Sequence, residues 1–502
     1  MGARSRPAGA GSRTGDKPSS LAGTARAGIA PTADYVAHHA ALRPSDIAVV
    51  ERGRAVTYAE FHGDLRRLTA VLGGRLPAEG STVAVEWTSL HEHLLFLLSL
   101  ESLGVASFSF MKSAARTNLA YLKTVDLVIC TEGSVPEENG PQLVLTERGI
   151  GDHLAREPQG PPRSAPLKPS TPVRVQHTSG TVGAPKRMIR TAEINEFRIG
   201  QYLFKEGYSR HSRFLVSRTL VIQALYGRAV ACLRMGGACV GGPDDIFENV
   251  RSNGVTHLSV LPTDLAAILK HLPAGYAKPE ALTVATFGGR VPLDLRERAL
   301  RDFATDLIES YGTNEVGSVC TVGPDGVGSV VPGVTVEVVD EKHRPLIGKA
   351  GRVRVRSPGA VAAYESDRAA TGRMFRDGWF YPGDRGVMPD PASLRLLGRD
   401  DDFVNIGGLK VDCVEFEEQL WRVVSPEDLG MTNIRGADDI DRLCVALVLG
   451  PSSTLDDIKR KIAPFFSPNL GGIVLTQVDR IPRTETGKIR REALRALLEK
   501  PK

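Results

Sequence analysis

The sequence predicts an α/β protein, with a large N-terminal domain of doubly covered sheets followed by a small α+β C-terminal domain. The chain has 502 residues, which is too long for one ordinary core. Short apolar runs alternate with helical patterns to about residue 310, as in parallel sheets that are covered on both faces. Beyond that point the strands become shorter, and residues 398–502 show a separate α+β pattern.

The individual elements follow from local patterns. Asp46–Val50 is an apolar run typical of a strand, and Thr57 then caps a helix. Val83–Trp87 predicts a second strand, and residues 90–102 predict a largely apolar helix. Further strands are predicted at residues 105–110, 127–130, 143–145, 173–176, 334–339, 351–355, 394–397 and 444–448, and a last helix at residues 488–498.

Positive charge is concentrated at the N-terminus. Residues 1–30 contain five basic residues and one acidic residue, a net charge of +4 (5 − 1), out of +5 for the whole chain. The segment lacks periodicity, so we expect a disordered basic tail at 1–30, an N-terminal domain at 31–397 and a C-terminal domain at 398–502. The remaining +1 (5 − 4) gives no electrostatic footprint for nucleic acid or for an anionic membrane.

The six cysteines are scattered and form no C-x-x-C pair. Most lie in apolar runs, which indicates buried thiols in a reducing compartment, so we expect a cytoplasmic protein. No run of 18 apolar residues is present, so no membrane span is expected.

The strongest local motif is Thr178-Ser-Gly-Thr-Val-Gly-Ala-Pro-Lys186. Its glycines can present backbone N–H groups to an anion, its hydroxyls add donors, and Lys186 adds a positive charge. The spacing differs from that of a Walker A loop, because Pro185 precedes the lysine and Arg187 follows it. The motif predicts a phosphate-binding loop of another kind, and a glycine-rich turn without a ligand is the alternative.

Three later segments carry polar groups suited to a nucleotide. Tyr311-Gly-Thr-Asn-Glu-Val-Gly317 lies at a predicted strand end, where open α/β sheets bind ligands. Its carboxylate, Glu315, is a reasonable Mg²⁺ ligand beside phosphates. Asp384 follows a tight turn and can accept hydrogen bonds from both ribose hydroxyls, and Lys488 can reach an acyl phosphate. Read separately, each segment also fits an ordinary polar turn.

In their order and spacing these motifs resemble the adenylate-forming superfamily of acyl-CoA synthetases, carrier-protein adenylation domains and luciferases. The resemblance runs from about Thr32 to Arg491. It implies an AMP-forming ligase that uses ATP and Mg²⁺ and whose C-terminal domain is a mobile lid. A small acid would be activated as an AMP ester and passed to the thiol of coenzyme A or of a carrier-protein pantetheine. Asn405–Val411 resembles the strand of the lid that the pantetheine arm approaches in this family.

The resemblance also implies roles for the matching residues. Lys488, Thr181 and Glu315 would be catalytic, with Glu315 also binding the metal. Asp401 would be the hinge of the lid. The residues expected to bind the nucleotide are Thr178, Ser179, Gly180, Thr181, Gly183, Lys186, Gly289, Tyr311, Gly312, Asn314, Asp384 and Arg399.

The chain departs from the pattern where the acid should bind. Asn314 replaces the usual threonine. Residues 215–230 lack the aromatic-His pair that gates the acid pocket in many acyl-CoA synthetases, and Arg218-Thr219-Leu220 stands there instead. Gly288-Gly-Arg-Val-Pro292 resembles the family's loop next to the adenine (the adenine loop), and its Arg290 adds a positive charge that suits a small anion. We therefore expect Thr219 and Arg290 to bind the substrate.

Three functions remain open. The pair Arg190-Thr191 resembles aryl-acid-activating members, which favours an aromatic acid and a thioester product. One branch of the superfamily activates nitrite and captures it with an amino-aryl acid, which would make the protein a diazotase. The third is a relative that binds its ligands without turnover. The expected partners are accordingly a small-molecule acid, nitrite with an amino-aryl acid, or a carrier protein.

Overall fold

The computed structural model describes residues 28–76, 80–112, 115–133, 135, 142–144, 150–151, 166–177, 186–242, 245–399, 403–406, 409–424, 426–435, 441–451, 453–462, 474–484 and 487–499. Residues 1–27 of the predicted tail, residues 178–185 of the predicted phosphate loop and Asp401 lie outside these ranges.

The strands, in chain order, are β1 (Ile47–Glu51), β2 (Arg54–Thr57), β3 (Thr82–Val85), β4 (Ala106–Ser109), β5 (Leu127–Cys130), β6 (Gln142–Val144), β7 (Pro172–His177), β8 (Arg187–Thr191), β9 (Arg213–Leu215), β10 (Ala238–Gly241), β11 (His257–Val260), β12 (Thr283–Thr286), β13 (Asp306–Thr313), β14 (Gly317–Val322), β15 (Val327–Val330), β16 (Thr335–Val339), β17 (Pro345–Leu346), β18 (Ala350–Arg356), β19 (Phe375–Arg376), β20 (Trp379–Phe380), β21 (Asp384–Val387), β22 (Ser393–Arg399), β23 (Phe403–Ile406), β24 (Leu409–Asp412), β25 (Asp428–Arg435), β26 (Asp441–Val448) and β27 (Val474–Gln477).

The helices are α1 (Thr32–Leu42), α2 (Tyr58–Gly73), α3 (Leu90–Ser102), α4 (Ala115–Leu122), α5 (Ala192–Glu206), α6 (Gln223–Arg234), α7 (Ile246–Ser252), α8 (Pro262–Lys270), α9 (Leu293–Asp302), α10 (Arg368–Met374), α11 (Cys413–Val424), α12 (Leu455–Ile462) and α13 (Arg491–Leu498). Among the described helices, none is both long and apolar enough to cross a membrane.

A six-stranded sheet has the order β6-β5-β3-β4-β7-β8. Its strands run parallel from β6 to β7, and β8 returns antiparallel to β7. Helix α3, capped by Ser89, is buried along nearly its whole length, which explains its lack of a polar stripe. Thr57 forms a capping box with Glu60 at the start of α2, as the sequence predicts.

The large sheet changes from parallel to antiparallel at β13. Strands β1, β10, β9, β11, β12 and β13 are parallel neighbours in that order, and β14, β15, β22, β21, β18, β16 and β17 continue the sheet antiparallel. The strand and helix alternation confirms the predicted α/β class. Strand β22 carries the large sheet as far as Arg399 rather than Leu397.

The C-terminal region has a small α+β core. Strands β25, β26 and β27 form a sheet, and helix α11 packs on it through Leu420 and Val424. The last helix begins at Arg491, so the prediction that it begins at Lys488 is wrong. The reason is a turn, in which the N–H of Thr484 donates to the carbonyl of Lys488 (2.8 Å) and Gly487 has a positive φ of +79°.

Candidate active site

The motif at residues 311–317 is a tight turn between β13 and β14. The hydroxyl of Thr313 accepts hydrogen bonds from the N–H groups of Glu315 (3.3 Å) and Val316 (3.4 Å). A Cβ on Gly312 would lie 2.4 Å from the carbonyl oxygen of Gly317, so the two strands approach closely here only because residue 312 is glycine. Asn314 is exposed at the tip of the turn.

Two predicted nucleotide residues meet beside this turn. The hydroxyl of Tyr311 donates a hydrogen bond to Oδ2 of Asp384, which is only 9% exposed. Asp384 begins β21, and Arg399 is its cross-strand partner on β22. The hydrogen bond joins Tyr311 to Asp384, and the antiparallel pairing places the backbone of Arg399 opposite Asp384.

A second cluster links Glu315 to the end of the phosphate loop. The hydroxyl of Tyr364 donates to Oε1 of Glu315 (2.7 Å), and Nζ of Lys186 lies 5.0 Å from the centre of the Tyr364 ring. Within the described residues, Oε2 of Glu315 makes no hydrogen bond, so one oxygen is available to a cation. A single open carboxylate oxygen beside a phosphate loop fits Mg²⁺, which usually keeps several waters and takes few protein ligands.

The predicted phosphate loop lies outside the described residues, and so do its members Thr178, Ser179, Gly180, Thr181 and Gly183. Its two ends are held together, because His177 of β7 is paired in register with Arg187 of β8. Lys186 is consequently placed at the exit of the loop, directly before β8.

The adenine loop and the loop of Lys488 meet at the start of α8. A Cβ on Gly289 would lie 3.5 Å from Cγ of Pro262, and a Cβ on Gly487 would lie 3.7 Å from Oγ1 of Thr263. Lys488 follows Gly487 and is exposed. The C-terminal region therefore presents its predicted catalytic lysine on the same side as the predicted adenine loop.

The two predicted substrate residues lie in different surroundings. Thr219 is half-buried between β9 and α6, and its hydroxyl accepts from the N–H of Val221 (3.2 Å). Arg290 is exposed beside the turn between β14 and β15, where a Cβ on Gly326 would lie 3.4 Å from its Nη2. The substrate roles of both residues remain predictions.

Sequence reasoning missed Arg198 and Tyr364. The buried guanidinium of Arg198, on α5, donates to the carbonyls of Asn314 (3.0 Å), Glu315 (2.9 Å) and Gly359 (2.7 Å). It therefore ties the turn of Glu315 to the segment that leads to Tyr364. Arg198 follows Asn195 by three residues, so both lie on one face of α5, and this face is buried. That spacing is the sequence pattern that could have indicated a buried arginine.

A family model described as AMP-binding enzyme matches residues 36–365. The chain belongs to this family. Membership in the AMP-binding enzyme family confirms the predicted relationship to adenylate-forming proteins.

Individual relatives of the family align along nearly the whole chain. Indoleacetate–CoA ligase of Aromatoleum aromaticum is 23% identical over 509 aligned positions, which cover 93% of this chain and 98% of that protein. The ATP-bound structure of MatB from Rhodopseudomonas palustris has a TM-score of 0.81 at 19% identity, covering 93% of this chain and 99% of that chain. O-succinylbenzoate coenzyme A synthetase from Bacillus subtilis, in complex with ATP and a magnesium ion, has a TM-score of 0.80 at 19% identity, covering 92% and 98%. At such identities the structural likeness shows the shared fold.

Proposed function

We propose that the protein is an ATP-dependent, AMP-forming ligase that adenylates a small aromatic acid and transfers it to the thiol of coenzyme A or of a carrier-protein pantetheine. The observation that carries this proposal is the convergence of the Tyr311–Asp384 pair and the Glu315–Tyr364–Lys186 cluster around the turn after β13. The aromatic acid is suggested by the relative that acts on indoleacetate.

In this proposal the nucleotide binds along the turn. Its adenine lies against Tyr311 and Gly289, and its ribose hydroxyls donate to Asp384, whose carboxylate is oriented by the hydroxyl of Tyr311. The phosphates lie between the loop before β8 and Glu315. Mg²⁺ would be held by the open oxygen of Glu315 and would neutralise charge that develops on the phosphates.

The chemistry proceeds in two displacements. An oxygen of the acid attacks the α-phosphorus of ATP, the bond to pyrophosphate breaks, and an acyl adenylate forms. The ammonium of Lys488 stabilises the negative charge of this transition state and positions the acid for in-line attack. A thiolate then attacks the acyl carbon, the bond to AMP breaks, and a thioester is released.

The test is pyrophosphate release from ATP and Mg²⁺ with a panel of aromatic and aliphatic carboxylates, with and without coenzyme A. We expect release with an aromatic acid and thioester formation when coenzyme A is added. Lys488→Ala should reduce release by about 100-fold or more, as expected on removal of a transition-state charge. Lys461→Ala, which changes an exposed lysine on α12, is the matched control and should leave the rate unchanged. Release by Lys488→Ala at the parent rate would refute the proposed first step.

Nitrite is the second candidate acid. The buried side chains of Arg174 and Arg190, beside the segment Arg218–Leu220, suit nitrite as well as they suit a carboxylate. An oxygen of nitrite would attack the α-phosphorus, and pyrophosphate would leave. The amine of an amino-aryl acid would then attack the nitrogen of the nitrosyl adenylate, AMP would leave, and loss of water would give the diazo product. Pyrophosphate release that requires nitrite and is unaffected by coenzyme A would favour this reaction.

A further inference from the structure

Of the six buried arginines among the described residues, three have a carboxylate partner. The pairs are Arg228 with Glu206 (2.8 Å), Arg234 with Glu101 (3.9 Å) and Glu196 (2.5 Å), and Arg296 with Glu309 (2.8 Å). This is the usual arrangement, because burial of an uncompensated charge is costly.

Arg174, Arg190 and Arg198 are buried without such a partner among the described residues, and Arg198 is held by three backbone carbonyls. Arg174 and Arg190 face each other in register on β7 and β8 and are 1% and 2% exposed. Within the part of the chain that the structure describes, neither guanidinium has a carboxylate within ion-pair distance. Burial lowers the pKa of Arg174 to about 10, and the neighbouring charge of Arg190 acts in the same direction.

The acceptors that the described residues offer to the two guanidiniums are all neutral. Arg174 donates to the hydroxyls of Ser107 (3.1 Å) and Ser109 (3.3 Å) and to the carbonyl of Leu220 (3.0 Å). Arg190 donates to the side-chain oxygens of Gln223 (2.6 Å) and Asn195 (2.7 Å).

Within the described residues, half of the donors of this pair are not used. Each guanidinium has five N–H donors, and together the two make five hydrogen bonds. The Nε atoms of both Arg174 and Arg190 are buried and have no hydrogen-bond partner in the part of the chain that is described. Two adjacent positive charges with unused donors have the chemistry of a receptor for an anion.

The pair lies where the acid should bind. Arg174 contacts Leu220, the last residue of the segment that replaces the usual acid gate, and Arg190 contacts Gln223, three residues later. Arg190 also contacts Asn195 on α5. One turn later on α5, Arg198 holds the turn of Glu315, so the pair adjoins the nucleotide motif.

We propose that Arg174 and Arg190 form the receptor for one planar two-oxygen anion, a carboxylate or nitrite, in the acid-binding part of the site. A bent O–C–O or O–N–O group matches the planar fork of a guanidinium and compensates the buried charge. The identification of this anion as the acid substrate rests on the proposed function. The binding of the anion to the arginine pair is independent of that function.

The experiment measures anion binding without ATP or acceptor. The thermal midpoint and the Kd are determined for the full-length protein with sodium nitrite, sodium benzoate and sodium chloride at equal ionic strength. We expect nitrite, benzoate or both to raise the midpoint above that in chloride. A response to nitrite alone would identify the inorganic source, and a response to benzoate alone would identify an organic carboxylate. No response above chloride in the unaltered protein would overturn the inference.

Arg174→Lys and Arg190→Lys keep the charge but remove the planar fork. Each should weaken binding of the responding anion by about tenfold or more, which corresponds to loss of a charge-assisted hydrogen bond. Arg213→Lys, at a half-buried position whose side chain donates to the carbonyl of Asn253, is the matched control and should bind as the parent does. The midpoint shift given by ATP and Mg²⁺ should persist in all three variants and checks their folding.

The outcomes separate this inference from the proposed function. Anion binding that both lysine variants weaken, without pyrophosphate release for any acid, would support the receptor and refute the ligase. Pyrophosphate release with unchanged KM for the acid in Arg190→Lys would support the ligase and overturn the receptor.

Discussion

The hydroxyl of Tyr364 offers a sharp test of the proposed metal and phosphate site. Tyr364→Phe removes only the hydroxyl that donates to Glu315 (2.7 Å) and keeps the ring beside Lys186 and the packing against Phe375. Tyr364 is 4% exposed and Glu315 is 8% exposed, so water does not readily replace the lost donor.

A hydrogen bond to a charged group contributes about 1.5–3 kcal/mol. At about 1.4 kcal/mol per tenfold change in rate, we expect kcat/KM for ATP with Mg²⁺ to fall by about 10- to 150-fold. The Mg²⁺ concentration that gives half-maximal activity should rise, because Glu315 is then less firmly oriented. The assay is pyrophosphate release during titration of Mg²⁺ and of ATP.

The matched control is Tyr208→Phe. Tyr208 is also buried and donates to a carboxylate, Glu206 (3.0 Å), but its ring packs against Phe214 and His257. We expect it to lower the thermal midpoint without changing kcat/KM. If Tyr364→Phe retained kcat/KM within twofold, or if Tyr208→Phe matched its loss, then orientation of Glu315 by Tyr364 would not be a determinant of activity.

Three further predictions concern close packing and pH. Gly312→Ala should abolish nucleotide-dependent activity, since its Cβ would lie 2.4 Å from a backbone oxygen; pyrophosphate release at the parent rate would contradict this. Burial lowers the pKa of His93 to about 3 and that of His177 to about 4, so the unfolded state takes up protons near pH 6.5 that the folded state does not. These two histidines should therefore lower stability between about pH 6.5 and 4 by up to ~2.7 kcal/mol per pH unit, and His93→Gln should remove about half of that contribution in urea unfolding. Burial lowers the pKa of Lys205 to about 8, so between about pH 8 and 10.5 this lysine is protonated in the unfolded state and neutral in the folded state. The free energy of unfolding should therefore rise across this interval. The rise should be absent when Lys205→Met is unfolded in urea.

The sequence alone determined the order of the nucleotide motifs and the α/β class. Tyr311, Glu315 and Asp384 could be named in advance because each stands in a short segment whose turn residues and strand context are local properties. The same holds for the cap at Thr57 and for the buried strands. Local signals of this kind depend only on neighbours within a few residues, so they can be read directly from the linear sequence.

Only the tertiary structure decided which of these groups meet and what supports them. Asp384 meets Arg399 because β21 pairs with β22, and Tyr364 reaches Glu315 across a long sequence separation. The pairing of Arg174 with Arg190 could not be read from the chain, because an arginine is ordinarily solvated and nothing local indicates that both will be buried. Burial and contact depend on how distant strands pair and on what helices cover them, and those are properties of the packed fold rather than of any segment.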